Sequence, residues 1–169
     1  MPVEISQDEL RHRLDQLDAV EQIERLKYRY FMCVDTGDFD AFRELCLKDV
    51  DIDIKLGIFH MKFDNVEDFI AENKKAYSKQ VISSHTGHHP QIDILSDTTA
   101  SGSWYLIDKA ILFTDNVILN GCSLYQDLYE KAGGIWKFKR ISYRRVYEMV
   151  DPLRDRPNVT ASALWRLNV

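Results

Sequence analysis

The chain has 169 residues, of which 45% are hydrophobic and 29% charged, the make-up of one globular domain with room for a sizeable core. Its formal net charge of −5 argues against binding to nucleic-acid phosphates, which requires a broad basic surface. No apolar run nears the roughly 20 residues of a membrane-spanning helix, and the charged start MPVEISQDELRHRLDQ does not read as a secretory signal. Cys33, Cys46 and Cys122 are far apart, odd in number and without CxxC spacing. They are expected to be buried thiols in a reducing cytoplasm, not disulfide partners or zinc ligands. The seven glycines and four prolines form no linker, and there is no repeat. One domain is expected over 1–169, with its core at 6–148 and a C-terminal tail at 151–169 that contains Pro157, Leu164 and Trp165.

The first third reads as helix. Ser6 caps a first helix, with Glu9 as its capping-box partner, and Asp18 with Glu21 repeats the signal as a second start or a bend. Ile23, Leu26, Tyr30 and Val34 form one amphipathic stripe, which Thr36-Gly37 ends. Asp38 caps a short helix over 39–45, and a further helix starts at Asn65 with Glu67 and Asp68 in its first turn. Between them, 49–54 alternates like a half-buried strand and 57–63 forms the other arm of a hairpin. Four long extended runs follow, over 84–95, 100–113, 120–131 and 136–147, separated by turn residues. Helices first and long sequential strands last predict an α+β fold: a curved antiparallel sheet with the helices across its concave side, enclosing one pocket.

Several polar residues occupy positions where a core is apolar. In the second long run Asp108 shares its face with Trp104, Leu106, Ala110 and Leu112, a costly place for a carboxylate unless it is paired. The preceding run opens SSHTGHHP, offering His85, His88 and His89 as partners; spacing alone does not choose among them. A His–Asp pair is the usual general base near neutral pH, because the carboxylate fixes the tautomer and stabilises the imidazolium. The histidines lie near no acidic or thiolate cluster, so no metal is expected. Tyr30 needs a partner for a hydroxyl on the apolar stripe. Asp35, near a helix C-terminus, opposes the helix dipole, as a surface residue or a retained functional acid does. In the last run Arg145 shares a face with Ile141, Tyr143 and Tyr147.

The stretches AVEQIERLKYRYFMCVD, SSHTGHHPQI, TASGSWYLID, ILFTD and YQDLYEKAGGIWKF, with YRRVYE beyond, cover most of the chain from Ala19 to Glu148. Together they resemble the SnoaL-like branch of the nuclear-transport-factor-2-like superfamily, its bile acid 7α-dehydratases foremost and its scytalone dehydratases more distantly. The resemblance implies an α+β cone with no metal or organic cofactor, assembled as a homo-oligomer, a trimer before a dimer. It carries Tyr30, Asp35, His85, Asp108 and Arg145 onto active-site positions and selects His85 among the three histidines. His88 matches a further family histidine, and His88, Trp104 and Tyr143 join Arg145 as expected substrate contacts. The segments 55–63 and 114–119, which should shape the pocket, depart from the bile acid enzymes and leave the substrate open.

The chemistry expected is therefore a cofactor-independent elimination on a small hydrophobic, hydroxylated cyclic or aromatic molecule, steroid-like or aromatic, in the cytoplasm. His85, oriented by Asp108, acts as base. Tyr30 donates to the oxygen that gains charge, and His85 or Asp35 protonates the leaving group. The same groups suit an isomerase or an aldehyde-releasing carbon–carbon lyase. A pocket that only binds a small molecule or a partner is the alternative of a different class.

Overall fold

The computed structural model describes residues 5–57, 59–77 and 81–154. The tail from residue 155 onward, with Pro157, Leu164 and Trp165, lies outside the described residues. Helix α1 runs from Gln7 to Thr36. Ser6 accepts from the Glu9 backbone N–H at 3.1 Å, as the capping signal predicts. The helix is unbroken at Asp18, where a second start or bend was expected; Asp18 accepts instead from Gln22 one turn on, at 2.6 Å, on the exposed face. Gly37 stops it in the left-handed region at φ 66°, and the Asp38 N–H reaches back to the Cys33 carbonyl. Helix α2 (Phe39–Leu45) is capped by Asp38. Helix α3 (Val66–Tyr77) is capped by Asn65, which accepts from the Asp68 N–H at 2.9 Å.

The strands are β1 (Cys46–Leu56), β2 (Phe59–Phe63), β3 (Val81–Ile94), β4 (Thr99–Leu112), β5 (Val117–Ala132) and β6 (Ile135–Pro152). They form one curved, unclosed sheet in the order β2-β1-β6-β5-β4-β3. The expected antiparallel pairing holds for every neighbouring pair except β1 and β6, which run parallel. The β5–β6 turn consists of Gly133 and Gly134 at φ 60° and 84°, the conformation a two-residue hairpin turn demands. The helices bury their apolar faces against the concave side, where Ile23, Phe42, Ile52, Phe138 and Ile141 are wholly enclosed. The convex side leaves Tyr105, Ile107, Leu128 and Val146 half exposed. All three cysteines are buried thiols. Among the described residues no helix is long and apolar enough to cross a membrane.

One contact fixes how closely α1 lies on the sheet. A Cβ on Gly87 would sit 2.2 Å from Phe31 Cε2, so only glycine lets the Phe31 ring lie against β3. That ring also stacks parallel to His85, with centroids 6.3 Å apart. This close approach brings the last turn of α1 within reach of the residues of β3.

Candidate active site

Asp35 occupies that last turn, where the helix dipole disfavours a carboxylate. Three donors compensate. Ser83 Oγ donates to Oδ1 at 2.9 Å, the His85 backbone N–H to Oδ2 at 2.9 Å, and His85 Nδ1 to Oδ1 at 2.6 Å. Burial by itself would raise the carboxyl pKa. The bonds from His85 and Ser83, with the attraction of the His85 charge, outweigh it and hold Asp35 below the usual carboxylate value. An ionised Asp35 only accepts, so His85 Nδ1 is the donor of that bond, and in a neutral imidazole the lone pair is then on Nε2. The Tyr77 hydroxyl lies 3.1 Å from Ser83 Oγ, whose own proton points to Asp35, so Tyr77 donates to it. Burial pushes the Tyr77 phenol up to about 12, keeping it a neutral donor at neutral pH.

His85 lines a cavity of about 240 Å³ between the concave sheet and α3. Tyr30, Tyr77, Tyr125 and Tyr143 stand with it, and Ile54, Leu56, Met61 and Phe69 form the apolar part. The Tyr30 and Tyr125 hydroxyls lie 3.3 Å apart. Only one proton of the two is used between them, so the other stays available to a ligand. Burial holds both phenols well above their ordinary pKa, so they are neutral donors.

The expected pairing of His85 with Asp108 is not formed. The two face each other across β3 and β4 in register. Asp108 is instead held by Arg145, whose Nη1 donates to Oδ1 and whose Nη2 donates to Oδ2 at 2.9 Å. Arg145 further donates to Ser123 Oγ and Glu148. A planar guanidinium meets both carboxylate oxygens at once, a geometry that a single imidazole nitrogen does not match. Gly121 makes room for the pair, since a Cβ there would lie 2.3 Å from Arg145 Nη1. Both side chains are only 7% exposed, and their charges are spent on each other. Arg145 is thus engaged with Asp108, and it neither orders Asp35 nor lines the cavity.

Two expected substrate contacts lie elsewhere. His88 pairs with the exposed Tyr105 and packs beside His89 and Tyr105, on the face of β3 opposite to His85. It lies three positions beyond His85, an odd number, so strand alternation turns it outward. Trp104 is core: it is 1% exposed and its indole N–H donates to Tyr129 at 3.0 Å. Tyr30 and Tyr143 do line the cavity. Sequence reasoning passed over Ser83, Tyr77 and Tyr125, which nothing in the local pattern separates from ordinary core. It also passed over the buried pair of Lys27 and Asp127, for which a signal existed. Asp127 alternates with Tyr125 and Tyr129 on an apolar strand face, as Asp108 does in its own strand. Among the described residues no three His, Cys, Asp or Glu side chains are grouped to share a metal ion.

A family model described as a SnoaL-like domain matches residues 15–142. Among solved structures, a hexachlorocyclohexane dehydrochlorinase (LinA) of type 2 is similar at 17% identity and a TM-score of 0.77, over 88% of this chain and 99% of that one. The LinA-type3 dehydrochlorinase of Novosphingobium barchaimii gives 21% and 0.71, over 88% and 99%. A protein provisionally named a scytalone dehydratase, from Novosphingobium aromaticivorans, gives 19% and 0.69, over 88% and 97%. At these identities the likeness is one of fold.

Proposed function

This chain belongs to the SnoaL-like family, and from that premise we propose that it is a cofactor-independent lyase acting on a small hydrophobic, hydroxylated cyclic or aromatic substrate. The observation that carries this reading is the 2.6 Å bond between His85 Nδ1 and Asp35 at the wall of a tyrosine-lined cavity. His85 Nε2 takes a proton from a carbon acidified by a neighbouring carbonyl or phenol. The Tyr30–Tyr125 pair donates to the oxygen that gains negative charge; one such donor is worth on the order of 3 kcal/mol. The protonated His85 then delivers its proton to the departing oxygen, the carbon–oxygen bond breaks, and water leaves. Asp35 stays ionised throughout and stabilises the imidazolium, so it orients the base and is not the proton donor. Structures of similar fold include a protein named for dehydrochlorination and one named for dehydration, both eliminations.

The test offers the protein cyclic β-hydroxy ketones and hydroxylated aromatic ketones, following loss of water by mass and exchange of the acidic C–H in deuterium oxide. Elimination that disappears in His85→Ala, with the fold retained, supports the proposal. Full turnover in that variant would refute the base assignment. Exchange and water loss absent across the panel would point to a pocket that only binds.

A further inference from the structure

Behind the tyrosine wall lies a buried charge pair that the proposed chemistry does not touch. Lys27 of α1 is wholly enclosed, and its Nζ donates to Asp127 Oδ2 of β5 at 2.7 Å. The rest of its surroundings is aromatic. Nζ lies 3.3 Å from the centroid of the Tyr125 ring and 4.5 Å from that of Tyr30, with Phe31 and Phe138 at 5.2 and 5.5 Å. An ammonium has three protons. One goes to Asp127, and the π faces are the nearest acceptors for the others. Asp127 is tied down in turn by the Tyr129 hydroxyl at 3.2 Å and the Ser142 backbone N–H at 3.4 Å, and Tyr129 accepts from Trp104. A fully buried ion pair is seldom worth more to stability than the apolar residues that would fill its space. Its placement here is specific: the cation lies against the faces of the two phenols whose hydroxyls meet at the cavity.

We propose that Lys27, anchored by Asp127, is a positioning residue that holds the Tyr125 and Tyr30 rings so that their linked hydroxyls present one donor to an oxyanion in the cavity. The inference rests on the reading of those tyrosines as the oxyanion donors. A cation against both ring faces resists rotation of either ring, because rotation turns the negative π cloud away from the ammonium. The Tyr30–Tyr125 bond, at 3.3 Å, has little slack for such rotation before it is lost.

The probe is pentafluorophenolate, an oxyanion at neutral pH, against the neutral pentafluorotoluene, with both affinities read by fluorine NMR. The wild-type protein is expected to prefer the phenolate, and Tyr30→Phe with Tyr125→Phe to remove the preference. Two double variants delete the buried charges without leaving one unpaired: Lys27→Met with Asp127→Leu, and Lys27→Gln with Asp127→Asn, which keeps a hydrogen bond. Either should lower the phenolate preference about tenfold while pentafluorotoluene binds as before. An unchanged preference in the folded variants overturns the role of Lys27 and leaves the oxyanion reading intact. No preference in the wild-type protein overturns both. Equal loss of both ligands, or failure of both variants to fold, assigns the pair to general stability and overturns the proposal as well.

Discussion

Gly87→Ala tests whether the seating of α1 on β3 makes the His85–Asp35 pair. The added Cβ would lie 2.2, 2.6 and 3.3 Å from three atoms of the Phe31 ring. Phe31 is 6% exposed and hemmed in by Tyr30, Tyr125 and His85, so the ring has no empty space to enter. Relief requires lifting α1 by about 1.2 Å, the difference between 2.2 Å and the 3.4 Å of ordinary contact. Forcing an extra methyl into a packed interior costs about 1–3 kcal/mol. For a chain of this length, each kcal/mol lowers Tm by about 2–4 °C. The same lift stretches the bond between Asp35 and His85 Nδ1 beyond about 3.6 Å, where no hydrogen bond remains. Melting measured by circular dichroism, with the His85 Nδ1 proton followed by NMR, should show a lower Tm and loss of the downfield, hydrogen-bonded Nδ1–H signal. A Gly87→Ala protein with wild-type Tm and an unchanged Nδ1–H resonance would refute the argument.

Arg145→Met leaves Asp108 buried without its partner and should destabilise the fold by about 3–5 kcal/mol in urea titration. Adding Asp108→Asn to it should recover a large part of that loss. Asp35 has a folded-state pKa below its unfolded value of about 3.9. Its contribution is therefore complete above that value and lost as pH falls below it through the lower folded-state value, so Asp35→Asn should flatten the acid side of the urea-midpoint profile. Lys27 runs the other way. Burial outweighs the pull of Asp127 and lowers its pKa from 10.5 to about 8. Between those values the unfolded chain binds more protons than the folded one, so stability gains from this group as pH rises. Lys27→Met with Asp127→Leu should remove that alkaline gain.

The sequence made the α+β architecture legible because its signals are local and agree with one another. Ser6, Gly37 and Asp38 stand where caps belong, and the four long strands alternate with period two. The unbroken run of α1 through Asp18 was misread, since an isolated capping signal has no force inside a helix whose later turns are packed on a core. The parallel pairing of β1 with β6 was hidden because strand direction depends on where α1 and α2 return the chain. At the site, the apolar-face argument correctly marked Asp108 as a carboxylate in need of a partner. The three histidines it offered, and His85 as the resemblance selected it, are not that partner, because Arg145, 37 residues further on, comes to the same place only through β5 and the gap at Gly121. Asp35 was marked by its quarrel with the helix dipole, and the structure shows three donors that resolve it. His88 and Trp104 followed from resemblance, and strand parity and core packing remove them from the cavity.

The wall of the cavity is divided by chain segment, with α3 shared between the parts. The groups that can move or hold a proton come from α1, β3, β5, β6 and α3, which supplies Glu72 and Tyr77, while Ile54, Leu56 and Met61 come from β1 and β2 and Phe69 from α3. The carboxylate of Asp35 grips both the backbone and the ring of His85, so any replacement there disturbs strand and imidazole together. The aliphatic segments carry no such double duty. Variation at 54, 56 and 61 should therefore reshape what fits while leaving the proposed proton-transfer groups in place. That separation offers an experimenter a short list of positions for directed evolution toward new substrates.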